Sequence, residues 1–195
     1  MAVIFALLRP LAWVNTWLLR IGRNIAWVAM ILMVVVIVLQ VFFRYVLNNA
    51  LPWPDEASRF LMLWMTGLIA PSAYRWGGFV SIDLVKDALP AVLAQVLTLF
   101  LLLVSLLVLV IGLQLGLRHV NSGWLFASST LKLPLEMFGL GLVRVKLAWM
   151  YMSMPVGIAL MILVNIELSL KAIAGLIDPS REIPFDDDNQ VITAE

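Results

Sequence analysis

Long apolar runs separated by brief polar breaks organise this chain, and the runs have the length of membrane crossings. Charged side chains leave uncharged stretches of 20 residues (24–43), 15 (60–74), 30 (88–117) and 20 (147–166). A helix rising about 1.5 Å per residue needs roughly 20 residues to cross a hydrocarbon core about 30 Å thick. Asn24 to Phe43 (NIAWVAMILMVVVIVLQVFF) is the clearest span. The second run falls short, at roughly 22 Å, so charged residues must enter its ends. Pro52 and Pro54 mark its start, Asp55 and Glu56 suit the positive end of the helix dipole, and Asp55 and Arg59 are i, i+4 partners. Pro71 is expected to kink this helix and Gly77-Gly78 to close it. The third run, Ala88 to Leu117, would make about 45 Å of helix and must tilt or protrude. The last span runs from Leu147 to about Leu170, with Pro155 and Gly157 in its first half.

Ahead of the first span, Arg9, Thr16, Arg20 and Arg23 fall on one helical face, and Leu7, Leu11, Val14, Leu18 and Ile21 on the opposite one. With Trp13 and Trp17 near the boundary, this suits a helix lying among the headgroups. A cleavable signal peptide is the rival reading, although the basic residues follow the apolar stretch instead of leading it. Arg118 to Lys146 is too interrupted by Gly123, Pro134, Gly139 and Gly141 for a span, and too apolar for a free linker, so it is expected to lie against the membrane or a partner. The tail, with Asp186, Asp187 and Asp188, reads as a short disordered end. The expected fold is all-α and integral to the membrane, with four transmembrane helices and an N-terminal amphipathic interfacial helix. Its parts are residues 1–23 (interfacial helix), 24–175 (membrane domain) and 176–195 (polar tail).

Composition agrees: 63% of the 195 residues are hydrophobic, 13% are charged, and the mean hydropathy is +1.02, which excludes a water-soluble globular fold. A net charge of +1, with basic residues scattered singly, gives no field to attract nucleic acid. Without cysteine there is no disulfide, thiolate metal site or thiol nucleophile, and the single histidine, His119, excludes a bis-histidine haem within one chain. No cofactor or metal is therefore expected. Arg20 and Arg23 before the first span favour a cytoplasmic N-terminus, and four spans would return the C-terminus to the same side. Counted over the whole chain, Lys and Arg divide seven inside and six outside, so charge bias alone does not decide topology.

Polar groups within a bilayer are where chemistry is sought first. Gln40 reads as glue between helices, and Glu167 as an acid reaching the interface beside its i+4 partner Lys171. His119 reads as an interface residue, and Ser128, Ser129 and Thr130 as loop or cap residues with no base in reach. No span carries an acid at its centre, so the chain looks incomplete as a transporter and unsuited to intramembrane catalysis. The densest polar cluster is Arg44, Asn48, Asn49, Asp55, Glu56 and Arg59, within FFRYVLNNALPWPDEASRFLMLW. It fits either a hairpin whose charges cap its helices or a docking surface for another membrane chain.

This segment resembles the small membrane subunit, or Q subunit, of tripartite ATP-independent periplasmic (TRAP) transporters. The resemblance rests on Phe43, Arg44, Tyr45, Asn48, Trp53, Asp55, Glu56 and Arg59, then on Tyr74, Arg75, Gly77, Val80, Ile82 and Asp83, and finally on the proline-containing span MSMPVGIALMIL. It covers roughly residues 24 to 170. Phe79 stands near where the family commonly has histidine, and 132–146 looks longer and more charged than usual.

The resemblance implies a scaffold subunit in the bacterial inner membrane. It would pair with a much larger polytopic subunit that carries the substrate and sodium sites. A periplasmic substrate-binding protein would deliver a substrate, commonly an organic acid, for cation-gradient-driven uptake. Arg44, Tyr45, Asn48, Trp53, Asp55, Glu56, Arg59, Arg75 and Asp83 are then candidates for stabilising the hairpin or the subunit interface. The alternatives are an anchor subunit of another membrane complex, a small self-contained exporter, and, behind both, an intramembrane enzyme.

Overall fold

The structure, a computed structural model, describes residues 2–76, 90–134 and 142–177. Helix α1 runs without interruption from Ala2–Tyr45, its 44 residues making about 66 Å of helix. The expected surface helix and first span are thus one continuous helix, because no proline falls between Arg20 and Asn24, Gly22 is packed within the helix against Leu68, and Pro10 is accommodated near the start. The face packed against the rest of the protein lies between the arginine face and the apolar face read from the sequence. Leu8, Ala12, Asn15, Leu19, Gly22, Ala26 and Ala29 are buried, at alternating steps of four and three, whereas Val14 and Ile21 are exposed. Such steps make a seam along a helix, and the small residues on this one let a neighbour approach closely.

That neighbour is helix α2, Pro54–Arg75, which returns antiparallel to α1. Proline in its first turn and two acids behind it start the helix as expected, and Arg75 occupies its last turn. It continues through Pro71. Between α1 and α2 the chain reverses at Asn48, which holds the left-handed φ of 50° while the Asn49 N–H bonds back to the Phe43 carbonyl. Asparagine tolerates that conformation better than most residues other than glycine. Gly77-Gly78, Phe79, Val80, Ile82 and Asp83 lie outside the described residues.

Helix α3, Ala91–Gly123, and helix α5, Ser153–Ile177, form a second antiparallel pair, with the short helix α4, Ala148–Tyr151, leading into α5. Between α3 and α4 the mixed segment forms two antiparallel strands, β1 (Ala127–Pro134) and β2 (Leu142–Lys146), an addition to the expected helical class. Their register pairs Ala127 with Lys146 and Lys132 with Arg144 and shifts between those two pairs. Helices α1, α2 and α5 pack together around Leu19, Tyr74 and Val164, and α3 lies on the far side of α5.

The packing is set by glycines. A Cβ on Gly157 of α5 would stand 2.5 Å from the Gly67 carbonyl oxygen of α2, and one on Gly67 would stand 2.6 Å from the Ser153 carbonyl oxygen. The two backbones therefore touch, with no room for a methyl group. Pro71 has no N–H to offer the Gly67 carbonyl four residues earlier, so that oxygen is left facing Gly157. On the α3 side, Gly112 and Gly116 seat Ile158 and Pro155.

Among the described residues three helices are long and apolar enough to cross a membrane: Leu8–Tyr45, Leu93–Gly123 and Ala148–Leu176. Large apolar side chains line their outer faces, including Val28, Ile31, Val35 and Val38 on α1 and Phe100, Leu103, Leu107 and Val108 on α3. Water would not support apolar surface of that extent; hydrocarbon does.

Candidate functional site: a charged knot joining three helices

One cluster of polar side chains joins α1, α2 and α5. Asn15 and Thr16 come from the packed side of α1, Tyr74 and Arg75 from the last turn of α2, and Asn165, Glu167 and Lys171 from the second half of α5. Glu167 is the centre. Its Oε2 accepts from Asn15 Nδ2 at 2.8 Å, while Oε1 lies 2.9 Å from Arg75 Nη2 and 3.0 Å from Lys171 Nζ. Arg75 extends its other nitrogen, Nη1, to Thr16 Oγ1 at 2.8 Å, and Thr16 donates in turn to the Ala12 carbonyl at 2.8 Å. Asn15 also donates to the Leu163 carbonyl at 3.1 Å. Beside them, Asn165 bonds the Tyr74 hydroxyl, and Ser169 donates to Asn165 Oδ1 at 3.4 Å.

Burial is uneven in an informative way. The Glu167 side chain is fully buried, while those of Arg75 and Lys171 keep 10% and 20% of their surface. The expected i+4 partner Lys171 is present, and Arg75 and Asn15 in addition close over Glu167 from α2 and α1. A buried carboxylate is tolerable when each oxygen has strong donors, and here two oxygens share three. Among the described residues two cations face one acid. Both Glu167 oxygens are engaged, so the arrangement holds three helices in register. Among the described residues no acid or histidine cluster could hold a metal ion, and Ser72 Oγ is the one buried side-chain polar atom without a partner.

The candidate residues at the other end do not form one cluster. Asp55 accepts from Gln40 Nε2 at 2.8 Å, tying the end of α1 to the start of α2, as glue of the kind expected of Gln40. Among the described residues no ion pair joins Asp55 to Arg59, and Arg59 is exposed. Glu56 turns to the strands, accepting from the Thr130 hydroxyl and from the Thr130 N–H at 3.3 Å. Arg44 lies over the ring of its neighbour Tyr45, its guanidinium carbon 5.8 Å from the centroid. Trp53 immediately precedes α2, its carbonyl accepting the Ala57 N–H at 3.0 Å, and Asn48 makes the left-handed turn. Of the candidates, only Arg75 enters the knot, and Asp83 lies outside the described residues. The sequence reading missed Asn15, Thr16 and Asn165 as partners. The available signal was an amide in an otherwise apolar helix, which in hydrocarbon needs a partner.

Apolar helices with lipid-facing outer surfaces, joined by an internal polar knot and by glycine contacts, define a polytopic helical membrane protein. A family model for tripartite ATP-independent periplasmic transporters, DctQ component, matches residues 33–175, and the chain belongs to that family. It is accordingly a membrane component of a transporter rather than a member of an enzyme family. A search of curated proteins finds no match.

Proposed function

We propose that this chain is the fixed scaffold subunit of a TRAP-type importer. It would pair with a large polytopic transport subunit and receive substrate from a periplasmic binding protein. Uptake would be driven by a cation gradient, sodium in the family's usual form, with an organic acid as the substrate class. The observation that carries the reading is the use made of charge. The buried acid of α5 is closed off by donors from two other helices, and α2 and α5 touch backbone to backbone. A part that moves substrate needs polar groups open to a path; a part against which another moves needs helices that cannot slide.

The same reading makes α2 a fourth span. Its 22 residues give about 33 Å of helix, with Asp55, Glu56 and Arg75 at the ends. With four spans, both termini would lie on the cytoplasmic side of the bacterial inner membrane and the strands on the outer side. The candidate residues at α2's start serve the hairpin or the partner contact.

Mild-detergent purification of the tagged chain from its native membranes, with mass spectrometry of what accompanies it, tests the proposal. Recovery with a large polytopic transport subunit in fixed ratio is expected. Recovery alone as a stable homo-oligomer would overturn it.

A further inference from the structure

We infer that the turn after α3, together with strand β2, binds anionic phospholipid headgroups at the membrane surface. The apolar part of this tip is held outward. Leu125 and Phe126 are 80% and 60% exposed, immediately beyond the end of a membrane-length helix. Their backbone is fixed: the Leu125 N–H bonds the Ser122 carbonyl at 3.2 Å, the Phe126 N–H bonds the Gly123 carbonyl at 3.3 Å, and the Phe126 carbonyl accepts the Leu147 N–H at 3.2 Å. The turn is packed closely on α4 at its base. A Cβ on Gly123 would stand 2.7 Å from the Tyr151 ring and 2.8 Å from the Ala148 nitrogen. Behind the turn, Trp124 and Trp149 meet edge to face at 6.0 Å, and the Trp64 indole N–H fixes the Trp149 carbonyl at 3.1 Å. Rigid apolar side chains backed by tryptophans suit the boundary between headgroups and acyl chains.

Exposed charge accompanies the apolar wedge. Arg118, Arg144 and Lys146 are exposed, and among the described residues none of them takes part in an ion pair. Lys146 stands opposite Ala127, the residue after Phe126, in the strand register, so this cation lies beside the apolar turn. Among the described residues the nearby acids have other partners, Asp55 with Gln40 and Glu56 with Thr130. A phosphodiester headgroup offers these exposed cations a counter-charge at the depth where Leu125 and Phe126 enter the acyl layer. An acidic protein would meet the cations but would leave the wedge without an apolar counterpart.

The test uses the full chain reconstituted in phosphatidylcholine bilayers with and without phosphatidylglycerol. The lipid retained after extraction is counted by native mass spectrometry. Wild type is expected to retain phosphatidylglycerol preferentially, and Arg144→Gln/Lys146→Gln to lose that preference by about fivefold per charge removed. Arg118→Gln, outside the strands, gives the same reading should the double variant not fold. Leu125→Ser/Phe126→Ser should lower retention of both lipids at this site. Equal retention of the two lipids by wild type, or unchanged retention by the charge variants, would overturn the inference. So would unchanged lipid retention alongside loss of binding to an acidic soluble protein.

Discussion

Replacing Gly157 by alanine tests whether the α2–α5 contact is as tight as its geometry. The added methyl would sit 2.5 Å from the Gly67 carbonyl oxygen, 3.0 Å from its Cα and 3.1 Å from its carbonyl carbon, all backbone atoms with no rotamer to change. Ordinary contact begins near 3.4 Å, so the helices must part by about 0.9 Å, the difference between 3.4 and 2.5 Å. A gap of that size forfeits roughly half the dispersion energy across a contact, and overpacking of this kind costs about 1–3 kcal/mol. The displacement also bears on the knot ten residues further along α5, where the Arg75–Glu167 distance of 2.9 Å has little slack. Thermal unfolding in detergent should show G157A melting roughly 2–12 °C below wild type. The control is G112A, whose methyl would meet only the end of Ile158 at 3.5 Å and should be neutral or slightly stabilising. Equal melting temperatures for the two variants would refute the reasoning.

The knot yields further tests. R75K should not restore the R75A defect, because an ammonium cannot reproduce the two-nitrogen reach to Thr16 and Glu167; full rescue of complex yield by lysine would contradict this. Asn15→Leu removes donors to both Glu167 and the Leu163 carbonyl and should lower stability by about 1–3 kcal/mol, read as an earlier melting transition. At the α1–α2 turn, Asn48→Gly should be tolerated, while Asn48→Val should cost about 1–2 kcal/mol for its positive φ, and equal melting of the two would count against a left-handed residue there. Thr130→Val deletes the hydroxyl that Glu56 accepts and should cost about 1 kcal/mol, measured the same way.

The helices were legible because uncharged run length reports directly on membrane-spanning segments. The proline and acids opening α2 were legible through local backbone chemistry, whereas the left-handed turn at Asn48 was not singled out. The packed face of α1 was not, since in hydrocarbon the buried side is the one with small residues, and the arginines at 9, 20 and 23 drew attention to a different division. The strands were obscured by glycine and proline, although Val143, Arg144, Val145 and Lys146 alternate with period two. The knot was half visible. Glu167 and Lys171 share a helix at i, i+4, whereas Arg75 and Asn15 lie 92 and 152 positions from Glu167, and only the tertiary fold shows that they meet.

Helix α1 is fastened at two levels, by Asn15 in the knot and by Gln40 at Asp55, and the 25 residues from 15 to 40 make about 37 Å of rod. A rod pinned at both levels behaves as a strut. Load applied at one attachment arrives at the other as tilt of the whole helix, since sliding along α2 would break both. The two ends of the α1–α2 pair are mechanically connected through this one helix.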